Sequence, residues 1–195
     1  MLPFASFVFH FLSGHRASQM GDFIIIVGGS CPANLPIVDV LLIHIPTLTI
    51  RCPKVHGEPP AKRFRQSLTP IFPSHRSPLA SDKGDHVLLM YGGWDGIRGE
   101  EYGGKEVSIL TVAANGDAVT WRHLSTTGQI PSPRFNHCAE IVNANKTFFV
   151  YGGEGEQVEA KDTCCYLLDL KTLVWRRVPT FGSFKSRGQN HPMAR

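Results

Sequence analysis

Three apolar runs in this chain each end in a pair of glycines. The runs are residues 23–27, 86–91 and 148–151, and the pairs that close them are Gly28-Gly29, Gly92-Gly93 and Gly152-Gly153. Val, Ile, Phe and Tyr fit a pleated, buried surface, and a continuous apolar run indicates a strand that is buried on both faces. A glycine pair lets the chain turn with positive φ where another backbone comes close. The pattern predicts strands inside a stack of sheets.

A second set of residues follows each glycine pair and leads to an arginine at nearly constant spacing. Ile50, Trp121 and Trp175 are followed by Arg63 (63 − 50 = 13), Arg134 (134 − 121 = 13) and Arg187 (187 − 175 = 12). A Gln or His comes three or four positions after each arginine, at Gln66, His137 and His191. Constant spacing here predicts one tight connection per copy, while the other segments are loops of variable length.

This pattern resembles the kelch repeat, in which Gly-Gly is followed by Trp and then by G-x-x-P-x-x-R-x-x-H. The matching residues are Gly57, Pro60, Arg63 and Gln66, then Gly128, Pro131, Arg134 and His137. The resemblance covers the chain from residue 15 to its C-terminus and implies an all-β, kelch-type β-propeller with four-stranded blades. We expect one partial propeller, with repeats at approximately 14–57, 63–128 and 134–182 and the start of a fourth at 187–195.

Composition and charge favour an ordinary globular domain. Apolar residues make up 42% and charged residues 18%, and the net charge of +4 comes from scattered basic residues. We therefore expect no nucleic-acid partner. No apolar run is long enough to span a membrane, so we expect no membrane association.

The five cysteines are odd in number and have no C-x-x-C spacing. This pattern favours free, buried thiols in a reducing compartment, the cytoplasm or the nucleus.

Several segments depart from the regular repeat. Residues 1–13 could be a poor signal peptide, a strand that completes a neighbouring blade, or the product of a wrongly assigned start. Residues 69–85 are predicted to be a surface loop because they hold several prolines. Residues 94–105 form a second insertion, in which Gly103-Gly104 is a turn. Asn115-Gly116 predicts a hairpin.

Residues that recur in phase with the repeat are predicted to be structural. They are the three glycine pairs, Trp121, Trp175, Arg63, Arg134 and His137. The resemblance implies that the loops after Gly-Gly, and the positions between Arg and His, line a partner-binding face. The candidates are Trp94, Asp95, Arg98, Tyr102, Glu154, Glu156, Arg65 and Asn136. Trp94 could contact a partner or fold back onto its own loop.

No catalytic, cofactor-binding or metal-ligating residue is predicted. No Glu has an Asp four positions later, so the E-x-x-x-D-x-x-x-H motif of iron-dependent kelch-like lyases is absent, and no nucleotide or Ser-His-Asp fingerprint occurs. We expect a non-enzymatic scaffold that binds a protein which the sequence does not name. The alternatives are a fragment of a kelch-like metalloenzyme, galactose-oxidase-like or iron-dependent, and a regulatory propeller of a larger signalling protein.

Three repeats do not close a propeller, which typically has about 4–8 blades. Either further blades of a larger protein or self-association of two copies would be needed to close the ring.

Overall fold

The computed structural model describes residues 13–31, 35–36, 40–72, 79, 84–96, 101–103, 105–158 and 164–181. Every regular element among these residues is a β-strand, which confirms the all-β prediction. None of them belongs to a helix long and apolar enough to cross a membrane.

The strands form three sheets, which we call blades 1, 2 and 3. Blade 1 has the order β1-β2-β5-β6, with β1 (Arg16–Met20), β2 (Phe23–Val27), β5 (Val40–His44) and β6 (Thr49–Arg51). Blade 2 has the order β7-β11-β10-β9-β8, with β7 (Lys54–His56), β8 (Ser67–Ile71), β9 (His86–Tyr91), β10 (Glu106–Val112) and β11 (Ala118–Ser125). Blade 3 has the order β12-β16-β15-β14-β13, with β12 (Thr127–Gly128), β13 (Cys138–Val142), β14 (Thr147–Tyr151), β15 (Cys164–Asp169) and β16 (Val174–Pro179). A two-stranded ribbon, β3 (Ser30–Cys31) with β4 (Leu35–Pro36), extends from blade 1.

The three blades are arranged as neighbours in a propeller. Each contains a four-stranded antiparallel meander, and the first strand of the meander lies at one edge of the sheet. These edge strands, β1, β8 and β13, are adjacent to one another, with β8 between the other two. The described blades form part of a ring and do not close it, as predicted for a partial kelch-type propeller.

Two short strands that the sequence did not indicate add a fifth strand to blades 2 and 3. β7 pairs in parallel with β11, and β12 pairs in parallel with β16. A Cβ atom on Gly57 would collide with the Trp121 carbonyl oxygen, and one on Gly128 with the Trp175 carbonyl oxygen. The repeated glycine before each arginine is therefore explained by close backbone contact with the tryptophan strand.

The prediction that residues 69–85 form a loop is wrong at its start. Thr69 and Pro70 belong to β8, which pairs with β9 through residue 71. Proline is tolerated there because β8 is an edge strand, where the missing N–H is not needed by a second ladder. Most of the remaining predicted loop lies outside the described residues.

The core consists of two apolar layers, one on each side of blade 2. Trp121 is buried between blades 1 and 2, and Trp175 between blades 2 and 3. Of the three apolar runs, only the one that forms β9 is buried on both faces, because only blade 2 has a described blade on each side. The prediction of burial on both faces is wrong for the other two runs. In β2 and β14 burial alternates along the strand.

Ile50 shows how the neighbouring blade decides burial. The ladder Ile24–Ile43–Ile50 in blade 1 corresponds to Leu88–Leu110–Trp121 in blade 2, since Ile24 and Leu88 both lie four residues before Gly-Gly. Ile50 thus occupies the predicted tryptophan position, but it is 51% exposed. Its face of blade 1 points away from blade 2 and has no blade against it among the described residues.

Gly92→Ala should be strongly destabilising. An added Cβ would lie 2.5 Å from the Arg134 carbonyl oxygen and 2.5 Å from His137 Cε1. We expect a loss of about 3 kcal/mol or more in the free energy of unfolding, from collision and from strain at φ +68°. Gly84→Ala is the matched control, since it has φ +77° with no described atom within 4 Å of the added Cβ. It should lose only about 1–2 kcal/mol. Urea denaturation measures both, and equal losses would contradict the proposed close contact.

Candidate functional site

An arginine of the repeat donates a side-chain hydrogen bond to the second and to the third Gly-Gly turn. Arg63 donates from Nη1 to the Gly92 carbonyl oxygen at 3.3 Å, and Arg134 donates from Nη1 to the Gly152 carbonyl oxygen at 2.9 Å. Both side chains are almost fully buried. Burial lowers the pKa of Arg63, and the nearby Glu106 carboxylate opposes this effect. Both arginines therefore make hydrogen bonds within the fold, as the predicted structural role requires.

The backbone of the same arginines joins successive blades. The Gly29 N–H donates to the Arg63 carbonyl oxygen at 3.2 Å, and the Gly93 N–H donates to the Arg134 carbonyl oxygen at 2.9 Å. Each arginine therefore holds the glycine pair of its own blade with its side chain and that of the preceding blade with its carbonyl group.

The residue three positions after each arginine adds a second bond between blades. Gln66 donates from Nε2 to the Val27 carbonyl oxygen at 2.9 Å. His137 Nε2 lies 3.0 Å from the Ser67 hydroxyl oxygen, and that hydroxyl donates to the Tyr91 carbonyl oxygen. Burial, with the positive charges of Arg134 and Arg16, lowers the pKa of His137 to about 3. The imidazole is therefore neutral at physiological pH and donates from Nε2 as a structural group.

On this frame the chain builds the same backbone bridge three times. In the first copy Leu12 stands at the position of the repeated arginine. The residue after this position pairs with the residue after Gly-Gly in all three copies, as Ser13–Ser30, Phe64–Trp94 and Phe135–Glu154. Each bridge is a reciprocal pair of N–H to carbonyl hydrogen bonds of 2.8–3.0 Å. We call Phe64, Arg65, Trp94, Phe135, Asn136 and Glu154 the loop face.

A line of backbone hydrogen bonds runs from blade to blade across this region. The Arg65 N–H donates to the Gly14 carbonyl oxygen at 2.8 Å, and the Asn136 N–H donates to the Arg65 carbonyl oxygen at 3.1 Å. The three residues are equivalent and all left-handed, with φ of 69°, 60° and 54°. The backbone of the loop face is therefore fixed.

Trp94 packs across the junction between blades 2 and 3. Its ring stacks on Phe135 at a centroid distance of 5.5 Å and an interplanar angle of 20°, and it lies 5.5 Å from the Phe64 ring. The Arg65 guanidinium carbon is 5.5–5.9 Å from the centroids of these three rings. Trp94 and Arg65 are half-buried, and each still presents surface to solvent. Trp94 therefore contacts the repeat connections and does not fold only onto its own loop.

Glu154 and Asn136 complete the exposed part of the loop face. The Asn136 side chain donates to Glu154 Oε1 at 3.1 Å, and both residues are exposed. Glu156, also exposed, donates its backbone N–H to Glu101 Oε1 at 2.7 Å. The contact between Glu156 and Glu101 links the loops that follow the second and third glycine pairs.

The remaining candidates differ in their environments. The Tyr102 ring lies 3.8 Å from the Arg63 guanidinium carbon, so it packs against the structural arginine. Asp95 is only 6% exposed and has little surface to offer a partner. Arg98 lies outside the described residues. The sequence thus predicted residues that the fold brings together, Arg65, Trp94, Asn136 and Glu154, along with others that it does not.

Sequence reasoning missed Phe64 and Phe135, which support Trp94 and Arg65. The dipeptide Arg-Phe occurs in the second and third copies, and this repetition was the available signal. Glu101, which holds the Glu156 backbone, had no signal.

Among the described residues no three His, Cys, Asp or Glu side chains are grouped so as to hold a metal ion. Cys52, Cys138, Cys164 and Cys165 are free thiols, but only Cys165 is buried, so the prediction of buried thiols is wrong for the other three.

Comparison with known proteins agrees with this architecture. Residues 74–195, more than half of the chain, match the family described as the KLHDC2/KLHL20/DRC7 Kelch-repeats domain. The chain belongs to this kelch-repeat family.

Three curated relatives show how the kelch chain matches longer proteins. It is 27% identical over 165 residues to acyl-CoA-binding domain-containing protein 4 of Arabidopsis thaliana, covering 85% of this chain and 21% of the relative. It is 27% identical to host cell factor of Drosophila melanogaster, covering 85% of this chain and 11% of the relative. It is 24% identical to human kelch domain-containing protein 3, covering 87% of this chain and 42% of the relative. The chain spans 21% and 22% of the first two relatives that it matches.

The low pKa of His137 predicts a pH-dependent stability. The folded-state value of about 3 lies below the ordinary 6.5, so between these values only the unfolded chain binds the proton. The contribution of His137 to the free energy of unfolding is complete above pH 6.5. It falls by about 1.4 kcal/mol per pH unit as the pH drops towards 3.

His137→Gln tests this dependence, since Gln66 fills the equivalent position in blade 2 and an amide can also donate to Ser67. Urea denaturation between pH 7 and pH 5 should show a shallower loss of stability in the variant. An unchanged pH dependence would contradict a neutral, buried His137.

Proposed function

We propose that this kelch-repeat chain is a non-enzymatic protein-interaction module, and that the loop face is its binding surface. The observation that carries the proposal is the convergence of Trp94, Arg65, Asn136 and Glu154, from two blades, on one braced backbone. Trp and Arg are enriched at interface hot spots.

The rigidity of the frame favours binding. Both the loop-face residues and their equivalents in blade 1 are tied by paired backbone hydrogen bonds, so a partner would order few additional groups. A surface that is already organised loses less conformational entropy on association. The kelch-repeat family and the kelch relative from Homo sapiens support an interaction role.

We further propose a cytoplasmic or nuclear location and a ring completed either by further blades or by a second copy. The four free thiols of the described residues fit a reducing compartment. The exposed apolar residue Ile50 fits a missing neighbour for blade 1.

Affinity purification with the 195-residue chain as bait, followed by mass spectrometry, tests the proposal. Trp94→Ala should weaken capture of specific partners about tenfold or more, because truncation of a tryptophan hot spot costs about 2 kcal/mol. Lys171→Ala is the matched control, since Lys171 is exposed in the turn between β15 and β16, at the opposite end of the strands.

Thermal melting of each variant would establish that both remain folded. The same partners captured equally by wild type and Trp94→Ala would contradict the loop face as the binding surface. Stoichiometric copper or iron in the purified chain, with turnover, would favour the metalloenzyme alternative.

A further inference from the structure

Arg65 occupies a backbone position that suits other residue types better. Its φ is +60°, and the equivalent residues in blades 1 and 3 are Gly14 and Asn136. Gly and Asn adopt this left-handed region readily, whereas for Arg the left-handed backbone conformation is unfavourable. A residue kept in a sparsely populated conformation supports a hypothesis of function at that position.

The other arginines near the blade junctions have hydrogen-bond acceptors within the fold. They are Arg16 on the Gln66 carbonyl oxygen, Arg51 on the Asn115 carbonyl oxygen, Arg63 on the Gly92 carbonyl oxygen and Arg134 on the Gly152 carbonyl oxygen. The Arg65 side chain makes no hydrogen bond or ion pair with any described residue. Its contacts are the three aromatic rings of the loop face.

Two carboxylates in the loops that follow Gly-Gly already accept hydrogen bonds from other residues. Glu154 accepts the Asn136 amide, and Glu101 accepts the Glu156 backbone N–H. A guanidinium that is held over aromatic rings keeps its planar N–H donors at its edge, where a carboxylate can accept two of them. The aromatic contacts also restrict the side chain before any partner arrives.

We propose that Arg65 recognises a side-chain carboxylate, from Asp or Glu, in an acidic segment of the partner protein. The inference rests on the proposed function, since it names the chemistry that the loop face selects. Trp94 and Phe135 serve as the platform that orients the guanidinium.

The experiment presents the 195-residue chain with an array of random short peptides that are N-acetylated and C-amidated, so that side chains carry the only carboxylates. A second array with free C-termini separates a terminal carboxylate from a side-chain one. Arg65→Asn removes the guanidinium and retains a residue suited to φ +60°, and Arg65→Lys retains the charge without the planar donors. Trp94→Ala and Lys171→Ala are measured in parallel.

Wild type should select peptides enriched in Asp or Glu, and the affinity of a selected peptide should fall about tenfold or more in Arg65→Asn. In a selected peptide, replacing the Asp or Glu that binding requires by Asn or Gln should weaken binding to wild type but not to Arg65→Asn. Arg65→Lys should bind more weakly than wild type. Arg65→Asn should melt no lower than wild type, which separates lost recognition from lost folding.

Three results would overturn the inference. One is no enrichment of acidic residues. Another is binding that requires a free C-terminus. The third is a selected peptide that is sensitive to Trp94→Ala but insensitive to Arg65→Asn, and this result would leave the proposed function standing. Peptides insensitive to both substitutions, or failure to select any peptide, would count against the loop face and against the role of Arg65 with it.

Discussion

The packing of the three blades rests on the contact between the first two glycine pairs and the arginine connection of the blade that follows each of them. At Gly92 there is no room for a side chain, because the Arg134 carbonyl oxygen and the His137 ring occupy the space where a Cβ would lie. This closeness lets the Gly93 N–H reach the Arg134 carbonyl oxygen. The apolar layers between blades can pack only if neighbouring blades are held together at this edge. The glycines and arginines therefore set the distance between neighbouring blades.

The same frame separates positions that must repeat from positions that can vary. Backbone groups alone make the bridges at Ser30, Trp94 and Glu154, so the bridge itself does not depend on which side chain these three positions carry. The left-handed positions Arg65 and Asn136 are likewise joined through their backbone. Chemical variety is therefore concentrated on the loop face without cost to the contacts between blades.

Burial in this fold is decided by neighbouring blades rather than by the strand itself. Trp121 and Ile50 occupy equivalent ladder positions, yet Trp121 is buried and Ile50 is half exposed. The difference follows from blade 1, which packs against Trp121, while the face of Ile50 has no described blade against it. A repeat can therefore carry the correct apolar pattern and still present an open face.

Sequence patterns predict the fold class and the three strands that end in Gly-Gly, because Gly-Gly, Trp and Arg recur at spacings set by local geometry. Short elements such as Lys54–His56, and the edge position that tolerates Pro70, have no local signal, since they exist only through pairing with distant strands. Trp94 and Arg65 were identifiable as loop residues, but only tertiary structure could join them with Phe135 from the next blade. A site made of several connections is defined by the contacts between blades, which no single stretch of sequence contains.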